Sequence, residues 1–349
     1  MSYKLIQTRS PFFIKYDTVN DTVTLGLKIW TGTVVGNKPT SNQYTLSKEA
    51  LSGAGTFEIA ELIRDYINHT STTSSGSVWV EAIIGDGIGT DDTYTFLANE
   101  GYTLTNEGTQ HAENQSLQDG VLLPLNSDGS YRISTIEGGN AVIPIVCHPS
   151  NSSKITDKIP CRDAYVSNQS LLASTTSTSV IRYISVPTGN LVCNFTFNGV
   201  AHKVYIDYME CNKYDSNQLL YVNKLGAKVL FPFNLKNMEN ISFKDQKYSR
   251  SLMNYSTLSD VSGLHSTVKQ IRSTNQIITL NTDWMSEYYV QQIEELVFSE
   301  YVWLKRPTGN PQPVNIKTSK HLKKNHLNDK LINYTIEVEA ASEYINTTR

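Results

Sequence analysis

Val23, Leu25, Leu27 and Ile29 alternate with Thr24, Gly26, Lys28 and Trp30, and a period of two recurs along much of the chain. A β-strand turns successive side chains to opposite faces, so this alternation predicts a half-buried strand and argues against a helix there. Val78, Val80, Ala82 and Ile84 repeat the pattern, as do Tyr94, Phe96 and Ala98. An earlier strand is expected at Phe12-Phe13-Ile14, after Ser10-Pro11, where proline sits at a strand start and no ladder donor is required. Between these runs, Ile59, Leu62, Ile63, Tyr66 and Ile67 fall at helical spacing and predict one short helix over residues 57–67. The Ser/Thr stretch 69–77 reads as a polar loop. Residues 1–100 are thus expected to form an N-terminal β-sandwich-like domain with one short helix.

Residues 101–214 carry short apolar runs at 121–123, 142–146, 180–186 and 191–197, separated by Asn, Ser, Gly and Thr clusters. Short strands at such intervals predict a second β-rich domain of sandwich type. The last part, residues 215–349, begins with two apolar runs, 219–222 and 229–231, around Asn223-Lys-Leu-Gly-Ala. That is a hairpin whose turn needs a positive φ at Gly226. A helix is expected over residues 283–299, with Ser286 as N-cap and Met285 and Val290 at the spacing of a hydrophobic staple. Its stripe is Val290, Ile293, Leu296 and Val297, which leaves Gln291, Gln292, Glu294 and Glu295 to water. A closing strand over residues 331–338 alternates Ile332, Tyr334, Ile336 and Val338. The fold class is therefore mainly β with α+β: two β-sandwich-like domains followed by a C-terminal α+β domain.

Composition narrows the functional classes. Of 349 residues, 39% are apolar and 18% charged, and 30 basic against 33 acidic residues leave a net charge of -3. A chain without a basic surplus is not expected to neutralise a phosphate backbone, so nucleic acid is excluded as a partner. No apolar run approaches the roughly 18 residues of a membrane span. The opening Met1-Ser-Tyr-Lys-Leu-Ile lacks a secretory apolar stretch. With no export expected, Cys147, Cys161, Cys193 and Cys211, which form no CxxC pair, read as reduced thiols. On the same ground the Asn-x-Ser/Thr triplets at Asn68, Asn151, Asn194 and Asn333 read as a by-product of composition.

Few residues offer chemistry. Asp86, Asp91 and Asp92 lie in the glycine-rich segment Gly85-Asp-Gly-Ile-Gly-Thr-Asp-Asp, where carboxylate oxygens are the right donors for Ca²⁺. There is a single copy and no bidentate glutamate downstream, so a plain inter-strand loop is favoured and no metal or cofactor is expected. Cys147, His148, Cys161 and Cys193 lack the regular spacing of a zinc site. His321 and His326 accompany Lys317, Lys320, Lys323, Lys324 and Lys330, a run suited to blunting a strand edge. No nucleophile elbow, zinc-protease helix or catalytic Cys/His signature occurs, and Glu294 and Glu295, adjacent on an exposed helix face, make a poor acid–base pair. An enzyme is not expected. The 20 tyrosines suit protein contacts or sugar stacking, or equally sheet rims.

The string Gln276-Ile-Ile-Thr-Leu-Asn-Thr-Asp-Trp-Met-Ser-Glu, the helix after it, Leu296-Val-Phe-Ser-Glu-Tyr-Val-Trp-Leu, Pro313-Val-Asn-Ile and Leu331-Ile-Asn-Tyr-Thr-Ile-Glu-Val-Glu resemble a recurrent pattern of structural proteins from bacteriophages that infect Bacteroidetes. The segment Leu220-Tyr-Val-Asn-Lys-Leu-Gly-Ala, and more loosely Arg9-Ser-Pro-Phe-Phe-Ile with Leu27-Lys-Ile-Trp-Thr-Gly, resemble their upstream parts. The resemblance covers residues 215–345 and, loosely, 9–68. It implies a virion component of the tail (baseplate, collar or tail ring), assembled in the host cytoplasm into a homo-oligomeric ring with other tail proteins. It carries no catalytic residues. The alternative is a receptor- or carbohydrate-binding module at the tail tip, and a cell-wall-degrading enzyme is the weakest reading.

Overall fold

In the computed structural model the described residues are 4–31, 37–67, 76–104, 120–126, 128–146, 159–161, 164–166, 181–186, 188–189, 191–197, 200–210, 214–249, 253–254, 259–260, 265–318 and 331–342. The chain is mainly β with a small helical part.

The first unit contains β1 (Lys4–Gln7), β2 (Phe13–Asp17), β3 (Thr22–Trp30), β4 (Tyr44–Glu49), β5 (Ala54–Glu58), α1 (Ala60–Arg64), β6 (Ser77–Gly85) and β7 (Asp92–Asn99). A five-stranded sheet runs β1-β7-β6-β3-β4, and β2 pairs with β5 as a separate ribbon. The alternating residues Val23, Leu25, Leu27 and Ile29 are all buried, facing Phe12, Ile14, Phe57, Ile59 and Ile63 from the ribbon and α1. The predicted helix is shorter than residues 57–67. Phe57 belongs to β5, opposite Ile14, and the helix begins only where the Glu58 carboxylate accepts from the Ala60 amide at 2.8 Å. Strand pairing claims Phe57, while Ile59, Ile63 and Ile67 keep the buried stripe. The opposite sheet face is also covered: Leu5, Trp30, Trp79 and Leu97 pack on Leu122, Ile181 and Ala227.

The second unit contains β8 (Gly120–Val121), β9 (Tyr131–Ile136), β10 (Ala141–Val146), β11 (Ile159–Cys161), β12 (Ala164–Val166), β13 (Ile181–Val186), β14 (Val192–Phe197) and β15 (Val200–Met209). They make two sheets, β13-β10-β8 and β12-β11-β14-β15-β9, with β15 parallel to β9.

The third unit contains β16 (Asn217–Val222), β17 (Lys228–Phe233), β18 (Met238–Ser249), β19 (Met253–Asn254), β20 (Ser259–Asp260), β21 (Thr267–Asn281), β22 (Met285–Ser286), α2 (Val290–Phe298), β23 (Val302–Lys305), β24 (Gln312–Ile316), β25 (Leu331–Ile332) and β26 (Thr335–Ala340). Seven strands form one sheet in the order β17-β16-β23-β24-β26-β21-β18. The β16–β17 turn has Gly226 at φ +80°, the left-handed conformation expected for it. The strand predicted over residues 331–338 is split. β25 pairs with β22 and β26 with β21 and β24, and the switch is pinned by Thr282, whose amide donates to the Tyr334 carbonyl at 2.9 Å and whose Oγ1 accepts the Tyr334 amide at 2.8 Å. The alternation survives the split, since Ile332, Tyr334, Ile336 and Val338 are all buried.

One apolar core continues across residue 214. It joins Ile133, Ile143, Ile145, Val204 and Ile206 of the second unit to Leu219, Phe231, Leu280, Ile293 and Leu296 of the third. A 3-10 turn, Glu287–Tyr289, opens α2, and the Ser286 hydroxyl accepts from the Tyr288 amide as the predicted cap. Ile293 and Leu296 are fully buried, with Val290 and Val297 packed at the margin. The expectation that Gln292 and Glu295 face water is overturned: they are 2% and 3% exposed. α2 is a short helix wedged between two units, so its flanks are covered as well as its apolar stripe. Gln291 alone of the four polar positions is exposed, and Glu294 is intermediate.

Candidate functional site

The feature with the clearest capacity to act on another molecule is the ribbon made by β18 and β21. Its strands pair antiparallel from Met238↔Thr279 to Ser249↔Thr267. β26 covers β21 only over residues 277–281, so beyond Ile241↔Gln276 the two strands have only each other among the described strands. At roughly 3.4 Å per residue the projecting part of β18 is about 30 Å long. All 12 residues of β18 are exposed. Among them Met238, Ile241, Phe243 and Tyr248 are large and apolar, each about half exposed. A two-stranded ribbon without an opposing layer is marginally stable in water, and an open edge strand is a template for further pairing.

Local contacts stiffen the ribbon. Lys269 Nζ stands 3.9 Å from the Phe243 ring centroid and 3.7 Å from the Asp245 carboxylate. At the base, Arg306 reaches Glu239 at 3.4 Å, and Asn281 Nδ2 donates to the Lys236 carbonyl at 2.7 Å. Pairing shifts register between Lys244 and Asp245, because Arg272 adds a residue on β21, and the added twist turns the outer half of the ribbon. The sequence reading missed this strand. Its signal is the alternation of Ile241 and Phe243 within Asn-Ile-Ser-Phe-Lys, which is weak because charged residues surround it and both faces are exposed.

A second feature lies where the three units meet. The β16–β17 turn is held by the first unit: Tyr102 N donates to the Lys224 carbonyl at 2.9 Å, and Asn99 Nδ2 to the Leu225 carbonyl at 2.5 Å. Asn223 Nδ2 donates to the Leu122 carbonyl at 2.8 Å, linking the second unit. Beside this turn, a cavity of about 430 Å³ is lined by Tyr102, Leu104, Leu125, Tyr288, Glu295 and Phe298, among others. Burial pushes the Glu295 carboxyl up to about 8, against the opposing pull of Lys224, so the group is mostly protonated at neutral pH. Among the described residues, neither its Oε2 nor the buried Tyr221 hydroxyl has a hydrogen-bond partner. Burial likewise holds the Tyr221 phenol well above its ordinary range, with Glu295 adding to the rise. On the other flank of α2, Gln292 Nε2 donates to the Arg132 carbonyl at 2.6 Å and the Tyr289 hydroxyl to Asp207 at 2.7 Å, while the Arg132 guanidinium lies 4.2 Å over the Tyr288 ring. These contacts place α2 as a structural strut.

The candidate Ca²⁺ loop is organised otherwise. The Asp86 carboxylate accepts from Thr18 Oγ1 and Asn20 Nδ2, each at 2.7 Å, and from the amides of Ile88 and Gly89 at 3.1 and 3.0 Å. These bonds, led by that from Gly89, hold its carboxyl well below the usual carboxylate range. The Asp91 carboxylate lies over Gly85, where a Cβ would meet it at 1.9 Å, and Asp92 accepts from the Tyr94 hydroxyl at 3.4 Å. Among the described residues no group of three or more His, Cys, Asp or Glu side chains is placed to hold a metal ion. Asp86, Asp91 and Asp92 therefore do not assemble into the set a Ca²⁺ site needs, and Asp86 acts as a loop staple.

Cys193 is buried on β14, its backbone opposite Cys161. Cys147, His148, Cys211, His321 and His326 lie outside the described residues. Several tyrosines serve the interior: Tyr102, Tyr221, Tyr289 and Tyr334 are buried. No described helix is long and apolar enough to cross a membrane. Compared with known proteins, the sequence matches no family model and no curated protein.

Proposed function

We propose that this chain is a non-enzymatic bacteriophage virion structural protein of the tail, a baseplate, collar or tail-ring component, acting by symmetric assembly with itself and with other tail proteins. The observation that supports assembly is the β18–β21 ribbon, an arm with apolar side chains on both faces and an edge that is open among the described residues. Such a surface gains most of its stabilisation only when a second polypeptide covers it. The phage assignment itself rests on the resemblance of residues 215–345. The rest of the molecule suits this role: three units locked through the β16–β17 turn would hold the arm at a constant angle to the body, as closed symmetry requires.

The experiment is light scattering on the purified chain across a range of concentrations, with negative-stain images of the eluted species. A closed particle of constant copy number is the expected result. A monomer at every concentration that binds host-cell surfaces would instead favour the receptor-binding role.

A further inference from the structure

We infer that the outer edge of β18 pairs antiparallel with β18 of a second copy, about a two-fold axis that sets Phe243 opposite its own twin. The inference rests on the symmetric-assembly reading above and names the contact that carries it.

β18 ends the seven-stranded sheet, and its only strand neighbour among the described residues is β21. Its outer row of amides and carbonyls is therefore presented along the full strand. Alternation puts Glu239, Ile241, Phe243, Asp245 and Lys247 on one face and Met238, Asn240, Ser242, Lys244, Gln246 and Tyr248 on the other. The extra residue of the bulge is on β21, so this alternation is unbroken along β18.

A two-fold axis normal to the ribbon pairs each residue with one on the same face, so the axis must pass through a residue. Among the central registers, which pair most of the strand, charge decides which one. Centred on Ser242, the register sets Glu239 against the partner's Asp245. Centred on Lys244, it sets that lysine against itself. Both are like-charge pairs that oppose association. Centred on Phe243, it sets Glu239 against the partner's Lys247, and Met238 against the partner's Tyr248, each twice by symmetry. Asn240 meets the partner's Gln246, and the two Phe243 rings meet at the centre. No directly opposed like charges remain. Glu239 would then lie between the partner's Lys247 and its own Arg306, already at 3.4 Å. The four exposed apolar residues of the strand are used together: Met238 and Tyr248 cover each other on one face, while Ile241 and Phe243 gather about the axis on the other.

The test is site-directed cross-linking of the full chain, with the unsubstituted protein as the control for its native cysteines. Phe243→Cys is expected to give an oxidised dimer, because the two sulfurs would meet across the axis. Tyr248→Cys is expected to give none, since its copies would stand about 30 Å apart at roughly 3.3 Å per residue. Lys247→Glu is expected to weaken association on the order of tenfold, as two attractive cross-strand pairs become repulsive, and adding Glu239→Lys should restore it. These positions are exposed, so unchanged melting behaviour checks that each variant is folded. An assembled chain that shows no Phe243→Cys cross-link and keeps its copy number in Lys247→Glu overturns the pairing while leaving the assembly role standing. A wild-type chain that stays monomeric at every concentration overturns both.

Discussion

Glu295 shows how far a single residue's chemistry can depart from its sequence context. Flanked by Glu294 and placed on what reads as a polar helix face, it is buried and its carboxyl is raised to about 8 by desolvation. Because its proton is held more tightly in the folded than in the unfolded chain, its contribution to stability is complete below the unfolded value, near 4.5, and is lost as pH rises through about 8. Within that window the loss approaches about 1.4 kcal/mol per pH unit for one proton. Glu295→Gln keeps the shape and removes the titration. Thermal melts at pH 6 and pH 9 should show a smaller decrease for the variant than for wild type. Comparing the two proteins isolates Glu295 from Lys228, whose ammonium burial lowers to about 8 and whose own effect runs in the opposite direction. At the other extreme, Asp86 is only partly buried but saturated by four donors. Asp86→Ala should lower the melting temperature by freeing Thr18 and Asn20, and added Ca²⁺ should leave the wild-type melt unchanged.

At the scale of elements, α2 and β18 obey opposite rules. α2 has nine residues, too short to be stable alone, and exists because Ile293 and Leu296 are buried against the core. Ile293→Ala should cost about 2–5 kcal/mol, the range for emptying a fully packed site, measured by denaturant unfolding. β18 has no interior side to stabilise it, and its length comes from pairing with β21. The sequence shows α2 clearly because a stripe at 3.6-residue spacing survives whatever packs on it. It hides β18 because a strand exposed on both faces has no need to alternate. α1 falls between: its stripe was legible, but its start was set by the pairing of β5 with β2, in which Ile14 meets Phe57 from a distant part of the chain.

The whole molecule turns on five residues. The 223–227 turn of β16–β17 is gripped by Asn99, Tyr102 and Leu122, so it reports on the joining of all three units. Gly226 has φ +80°, and a Cβ there would stand 2.7 Å from Asn99. Gly226→Ala therefore meets backbone strain and a collision at the same place. Limited proteolysis of this variant should cleave between the first and second units faster than wild type, whereas an unchanged digestion pattern would show that the turn is not the lock. Arg9 with Glu300 at 3.2 Å, and Arg64 with both Glu100 and Glu300, add ion pairs across the same junction. Glu100 is buried, so its pair with Arg64 is less open to salt screening than a surface pair.

What the sequence alone determined is local: the period-two strands, the positive-φ turn at Gly226, the capped helix after Ser286, the mainly β class and the loop character of the Asp86 segment. Each is written in residues within a few positions of one another, because strand, turn and cap preferences act over that range. Tertiary structure decided the split of residues 331–338 between two partners, the core that continues across residue 214, the buried acid at 295 and the open arm of β18. These depend on which surfaces meet, and desolvation is a property of the neighbours a side chain acquires. Neither the proton on Glu295 nor the edge of β18, unpaired among the described residues, has a local sequence code, since both are set by segments that approach, or fail to approach, from far along the chain.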